Sequence, residues 1–259
     1  LAAERQPLAL KLMTRMRDPD REPVPSVAAR CFTMRPPSHA AAAMSDHRSR
    51  FLELALRVDA LRFGEFTLKS GRVSPYFFNA GRFDSGAALA ELARCYADAI
   101  EAADVGFDVL FGPAYKGIPL ATALACEFAE RGRDLPVAFN RKEAKAHGEG
   151  GTLIGAPLDG RRVLIVDDVI TAGTAIREAL GQIRAAGGVP AGIVIALDRQ
   201  EAVDPTVSRR SAAQTVADEQ GLPVIAVARL ADLLDFTAGD ADASRRERLL
   251  AYRAAYGCE

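Results

Sequence analysis

Five short runs rich in Val, Ile and Leu, at residues 109–112, 137–140, 163–168, 191–197 and 224–227, constrain this chain more than any other feature. None alternates apolar with polar residues, as a strand with one wet face would. Unbroken apolar runs belong to strands covered on both faces. Helix-length segments lie at 116–131, 173–186 and 208–220, with another at 229–236. Strand and helix in alternation imply right-handed crossovers and an α/β fold, with a central parallel sheet flanked by helices. Upstream, Phe51, Leu54, Ala55, Val58 and Leu61 repeat at helical spacing. Residues 66–79 then read as two strands about a Lys69-Ser70-Gly71-Arg72 turn, a β-hairpin forming a small N-terminal hood, and 86–104 as an Ala/Leu-rich helix.

Composition narrows the function classes. The 259 residues carry 33 Lys and Arg against 34 Asp and Glu, for a net charge of −1, so bulk nucleic-acid binding is not expected and any anion site must be local. No apolar run approaches the ~18 residues of a membrane span. Four cysteines (Cys31, Cys95, Cys126, Cys258) form no C-x-x-C pair. That spacing excludes a zinc ribbon and favours a reducing, cytoplasmic location. Cys95 and Cys126 fall on expected helices and read as small buried residues.

Residues 1–43 differ from the rest. Six prolines punctuate them, no periodicity persists, and their net charge is +3 against −4 for the remainder. A disordered tail or an upstream mis-extension of the reading frame is expected, and four acidic residues weaken a transit-peptide reading. The folded unit is expected to span 44–259, opening after Met44 on the helix-capping pair Ser45-Asp46.

Ligands of an open parallel sheet bind at the carboxyl ends of its strands. The polar residues there are concentrated: Tyr115 and Lys116, then Asn140, Arg141 and Lys142, then Asp167 and Asp168, then Asp198 and Arg199. The sharpest signal is Val163-Leu-Ile-Val-Asp-Asp-Val-Ile-Thr-Ala-Gly-Thr-Ala175. Four apolar residues deliver two carboxylates to the strand tip, and a Thr171-Ala172-Gly173-Thr174 loop turns into a helix. The opening N–H groups of that helix, with the Thr hydroxyls, form a phosphate cradle. Carboxylates repel phosphate but accept hydrogen bonds from sugar hydroxyls. A phosphate beside a diol describes a ribose 5-phosphate.

This segment resembles the phosphoribosyl-diphosphate (PRPP) signature of the type I phosphoribosyltransferases. Phe66-Thr-Leu-Lys-Ser-Gly-Arg72, Ser74-Pro-Tyr-Phe-Phe-Asn-Ala-Gly81, Gly112-Pro-Ala-Tyr-Lys-Gly117, Arg141-Lys-Glu-Ala-Lys-Ala-His-Gly-Glu-Gly-Gly151 and Leu197-Asp-Arg-Gln-Glu201 are similar, in order, to segments of the orotate phosphoribosyltransferases. The resemblance implies that PRPP is held by Lys69, Tyr115, Lys116, Arg141, Lys142, Lys145, His147, Asp167, Asp168 and the run Val169, Ile170, Thr171, Ala172, Gly173, Thr174 and Ala175. It implies orotate at Phe77, Phe78, Thr171 and Arg199. Arg suits a carboxylate, and only one of two adjacent strand residues should face the core. It further implies a non-proline cis peptide within 113–116. The 141–151 loop is implied to be a mobile lid shared across a homodimer, with Arg141, Lys145 and His147 serving the partner's PRPP and Lys142 its own. Ala146 stands where the family commonly has an acidic residue.

The implied reaction is attack of orotate on the anomeric carbon of PRPP, with loss of diphosphate and formation of orotidine 5′-monophosphate in pyrimidine biosynthesis. Its burden is electrostatic and positional. Catalysis is implied to fall to Arg141, Lys142, Lys145 and His147. Mg²⁺ is the implied cofactor, bridging diphosphate and ribose hydroxyls with few protein ligands, so no metal-ligating residues are assigned. The partners implied are PRPP, orotate and a second copy; neither nucleic acid nor membrane is expected. Two other readings stand beside this one: a phosphoribosyltransferase for purines or another base, and a PRPP-sensing regulator, which would be expected to carry a basic face. A fused decarboxylase domain is not expected in the length that follows the sheet.

Overall fold

A computed structural model describes residues 46–68, 70–141, 152–202, 207–239 and 242–258. The chain divides into two units, residues 1–42 and 43–259; every described residue belongs to the second. The leader assigned to 1–43, together with Lys69, Lys142, Lys145 and His147, lies outside the described residues.

Helix α1 (His47–Arg57) starts on Asp46, whose carboxylate accepts from the Arg48 N–H, and buries Phe51, Leu52, Leu54 and Ala55. The helical spacing that runs on to Leu61 is overruled. Asp59 takes a left-handed conformation (φ 58°), which ends helices, and Leu61 instead opens strand β1 (Leu61–Thr67). β1 pairs antiparallel with β2 (Val73–Phe78), Leu61 opposite Phe78 and Thr67 opposite Val73. The expected hairpin is present, but its first strand begins five residues earlier than the 66–79 reading.

Helix α2 (Gly86–Ala103) is capped by Ser85 and closed by left-handed Asp104. Then come β3 (Val109–Gly112), α3 (Gly117–Glu130), β4 (Val137–Asn140), β5 (Leu153–Gly155), β6 (Arg162–Asp167), α4 (Thr174–Ala185), β7 (Val189–Asp198), α5 (Ala212–Gln220), β8 (Val224–Arg229), α6 (Leu230–Phe236) and α7 (Ala243–Tyr256). Helix α5 starts at a Ser211/Gln214 capping box, four residues later than its apolar content suggests.

The main sheet runs β5-β4-β3-β6-β7-β8. Its pairs are parallel except β4–β5, which is antiparallel. The expected parallel sheet is therefore mixed at one edge, through a three-residue strand too short to leave an apolar run in the sequence. Two hydrophobic clusters cover the faces. One gathers α1, α2, α3, α6, α7 and the hairpin, and the other packs α4 and α5 beneath β6 and β7. Val163, Leu164, Ile165 and Val166 are completely buried between them, which is the physical content of an unbroken apolar run. Cys95 is buried as expected, but Cys126 is exposed on α3. It lies on the turn of the helix opposite Leu120, Leu124 and Phe128, which carry the buried face.

Helix α7, which no apolar period in the sequence marks, buries only Leu249 and Tyr252. It packs its Tyr252 ring edge-on to Tyr76 of β2, 6.3 Å between centroids. Residues at its end and just after it are tied to the end of β7: Ala202 N–H donates to Tyr256 O and Cys258 N–H to Gln200 O, both at 2.8 Å.

Candidate active site

The carboxyl end of β6 is fixed from two sides. Tyr96 of α2 donates its hydroxyl to the Asp167 carbonyl at 2.8 Å. The Asp168 carbonyl accepts from the Ala196 N–H of β7 at 2.9 Å. Asp167 and Asp168 are held there only 9% and 5% exposed, and the Asp168 N–H donates to Asp167 Oδ1 at 2.9 Å. Burial, then the like charge of Asp168, push the Asp167 carboxyl up to about 7; taking a carboxylate out of water disfavours its charged form.

Among the described residues one cation reaches this pair. Lys116 Nζ stands 2.5 Å from Asp168 Oδ2. The reach depends on how tightly α3 is pressed to the sheet. A Cβ at Gly117 would fall 2.6 Å from the Val166 carbonyl oxygen and 2.6 Å from Pro113 Cδ, so only glycine lets the helix start there. The loop before it contains a cis peptide, Ala114–Tyr115, within the 113–116 stretch where one was expected. Its Ala114 N–H donates to Asn140 Oδ1 at 2.8 Å, linking it to the end of β4. The Tyr115 side chain is 67% exposed.

Beyond Asp168 the chain divides its labour. Val169 packs against one hydrophobic cluster and Ile170 against the other, so these two present backbone rather than side chain to a ligand. Thr171, Ala172, Thr174 and Ala175 are exposed, while Gly173 is buried with φ 75° and caps α4. Two hydroxyls therefore reach solvent at a helix N-terminus, whose opening N–H groups have no partner within the helix, a combination that binds phosphate.

The hairpin and β7 build a second cluster. Arg199 stacks over the Tyr76 ring, 5.0 Å to the centroid. Arg199 Nε donates to Glu201 Oε1 at 2.9 Å, and the Tyr76 hydroxyl donates to the same oxygen at 3.1 Å. Arg199 Nη2 lies 2.8 Å from that oxygen but off the line of a hydrogen bond, leaving a buried guanidinium nitrogen without one. Tyr76 is fully buried, so the cation is fixed against an aromatic face with donors to spare.

The two phenylalanines part company. The Phe78 ring lies 6.0 Å from Phe51 and 6.3 Å from Phe83 in the core, which leaves only its backbone for a ligand. Phe77 faces the other side of the hairpin, 5.5 Å from Phe66 and capped by Arg62. Strand parity anticipates this split. The supporting roles of Tyr76, Glu201, Tyr96 and Asn140 are not legible in the sequence. Tyr76 and Glu201 stand inside motifs that carry the family resemblance, which implies no role for them, and nothing marks Tyr96 or Asn140 as a partner of residues 26 to 71 positions away. Arg141 is half-buried at the last described position before the 142–151 segment.

Comparison with known proteins agrees with this geometry. Residues 83–215 match the phosphoribosyl transferase domain family. The chain is 77% identical over 217 residues to an orotate phosphoribosyltransferase of Xanthomonas campestris pv. campestris, covering 83% of this chain and 99% of that protein. The crystal structure of the Francisella tularensis orotate phosphoribosyltransferase superimposes with a TM-score of 0.73 at 43% identity, over 80% of this chain and 98% of that one. The Mycobacterium tuberculosis orotate phosphoribosyltransferase, solved in complex with 5-phospho-alpha-D-ribosyl 1-diphosphate, aligns at 27% identity with a TM-score of 0.55, over 72% of this chain and 98% of that one. Twin acids on a buried strand tip, a phosphate-shaped loop beside them and this degree of likeness together mean that the chain belongs to the orotate phosphoribosyltransferase family.

Proposed function

We propose that the protein transfers the 5-phosphoribosyl group of PRPP to orotate, giving orotidine 5′-monophosphate and diphosphate in pyrimidine biosynthesis. The observation that carries the reading is the buried Asp167–Asp168 pair against the outward-facing Thr171–Thr174 backbone. The pair accepts hydrogen bonds from the ribose hydroxyls, and the loop receives the 5-phosphate. Arg199, clamped by Tyr76 and Glu201, offers its remaining donors to the orotate carboxylate, and the Phe77–Phe78 backbone borders the ring. On the resemblance, Thr171 serves both substrates.

Expelling diphosphate leaves positive charge on the ribose and negative charge on the leaving group. Lys116 supplies a cation on the leaving-group side. Lys69, Arg141, Lys142, Lys145 and His147 complete that side on the resemblance. The lid carrying four of these is shared between the two subunits of a homodimer, so each site is finished by its partner. Among the described residues no three His, Cys, Asp or Glu side chains gather as a metal-binding group. Two carboxylates alone suit a Mg²⁺ carried mainly by substrate oxygens and water, with Asp167 and Asp168 as the residues that would hold it. Such an ion would supply positive charge against the departing diphosphate. The proposed location is the cytoplasm, on the cysteine spacing and the family resemblance; no described helix is long and apolar enough to cross a membrane.

The test is the fall in orotate absorbance on mixing with PRPP and Mg²⁺, with guanine, hypoxanthine and uracil as alternative acceptors. Turnover confined to orotate is expected. Turnover of a purine in its place would assign the site to another base.

A further inference from the structure

Arg177, on the first turn of α4, belongs to none of the motifs that point to PRPP. Its guanidinium makes three bonds that join the phosphate loop to a different helix. Nη1 donates to the Ala172 carbonyl at 2.7 Å. Nε and Nη2 both donate to Glu219 Oε2 on α5, at 3.0 and 2.7 Å. The loop is also packed hard against that helix. A Cβ at Gly173 would lie 2.7 Å from Val216 Cγ2 of α5 and 2.9 Å from Arg177 Nη1. Residue 173 is therefore squeezed between the arginine and α5.

The geometry has a consequence for the ligand. In a planar trans peptide the C=O and the following N–H point in opposite directions. Holding the Ala172 carbonyl toward the arginine on the α5 side turns the Gly173 N–H to the opposite side, away from α5. That N–H opens α4, where a phosphate is received. The Thr171 and Thr174 side chains are exposed, Ala172 carries no polar group, and Gly173 has unusual freedom of rotation. The arginine removes that freedom.

We infer that Arg177 is a positioning residue for the 5-phosphate of the substrate, acting through the Ala172–Gly173 peptide, with Glu219 as its anchor. Arg177 acts from behind the loop: three of its five N–H donors are spent on a carbonyl and a carboxylate, and none is assigned to the phosphate. It sets the direction of a backbone donor that is. Lysine cannot replace it, because one ammonium on a flexible stem does not span the carbonyl and the carboxylate as a planar fork does.

This inference rests on the proposed function, and its test separates the two. Dissociation constants of orotidine 5′-monophosphate and of orotidine, the same nucleoside without phosphate, are measured by calorimetry, with KM for PRPP and kcat. Arg177→Met is expected to weaken the nucleotide about three- to tenfold, the scale of one hydrogen bond. Orotidine binding should stay within about twofold, and KM for PRPP should rise by a larger factor than kcat falls. Arg177→Lys should resemble Arg177→Met. Glu219→Ala should move in the same direction by about two- to threefold, and it carries the test if Arg177→Met does not fold. Equal weakening of nucleotide and nucleoside, no weakening of either, or wild-type nucleotide affinity in Arg177→Lys would overturn the inference. A wild-type protein that binds neither compound and consumes no orotate would instead overturn the functional reading.

Discussion

Asp167→Asn should make the protein more stable while making it a poorer enzyme, and the gain should depend on pH in a defined way. Asp167 is held up to about 7 by burial and by Asp168, against 3.8 for an ordinary aspartate. Between those pH values the folded protein retains a proton that the unfolded chain has released. Stability is thus lost as pH rises through the window; the cost is absent below about pH 4 and complete above about pH 7. A rise of that size corresponds to about 4 kcal/mol. Asparagine can still accept the Asp168 N–H through its oxygen, but its amide protons are left short of partners, which costs about 1–3 kcal/mol. A net gain of roughly 1–3 kcal/mol at pH 8 remains, or about 2–10 °C in Tm for a chain of this size. Titrating groups not coupled to Asp167, including the half-buried Asp198, are common to both proteins and cancel in the difference. Thermal melts of the two proteins from about pH 4.5 to about pH 8 provide the assay, since that range brackets the window. The difference should be near zero or negative at the acid end, grow with pH and level off above about 7. A difference independent of pH would show that Asp167 is not a strained buried carboxylate. KM for PRPP should rise in the same variant through loss of the ribose contact.

Lys145→Ala should lower kcat by about 10²–10³, the scale of losing one stabiliser of transition-state charge; unchanged steady-state turnover would remove it from the mechanism. Gly117→Ala forces α3 away from the Val166 carbonyl, so unfolding in urea should show a loss of about 1–3 kcal/mol, with KM for PRPP raised as Lys116 withdraws from Asp168. Arg199→Ala should raise KM for orotate by at least about tenfold, as for a charged hydrogen-bonding group, and leave KM for PRPP nearly unchanged. Equal effects on both substrates would place Arg199 outside the orotate site.

The central sheet is legible because its strands are buried on both faces and so carry runs that no helix face requires. The Asp167–Asp168 doublet is legible for a related reason: two carboxylates after four fully buried residues have no packing role. Elements with weak apolar demands escape. β5 is three residues long, and α7 buries only Leu249 and Tyr252, too few to set a helical period. The end of α1 is hidden because Leu61 falls on its apolar face by spacing, while the backbone reversal at Asp59 is a matter of conformation. At the site, charges and aromatics can be picked out, but not which will hold which. Glu201 meets Tyr76 across 125 positions of chain, and no local pattern encodes such a meeting. The Phe77–Phe78 pair lies between these cases: alternation foretells that one ring is lost to the core, and the tertiary packing selects Phe78.

The hydrogen bonds joining residues 200–202 to residues 256–258 impose an order of assembly. The Asp167–Asp168 pair and the Thr171–Thr174 loop are synthesised long before Tyr256 and Cys258. The two hydrogen bonds that hold the segment just after Arg199 form only when residues 256–258 arrive. A nascent chain, or one cut before residue 256, would then carry a finished Asp167–Thr174 loop beside a segment at 200–202 still lacking its two ties.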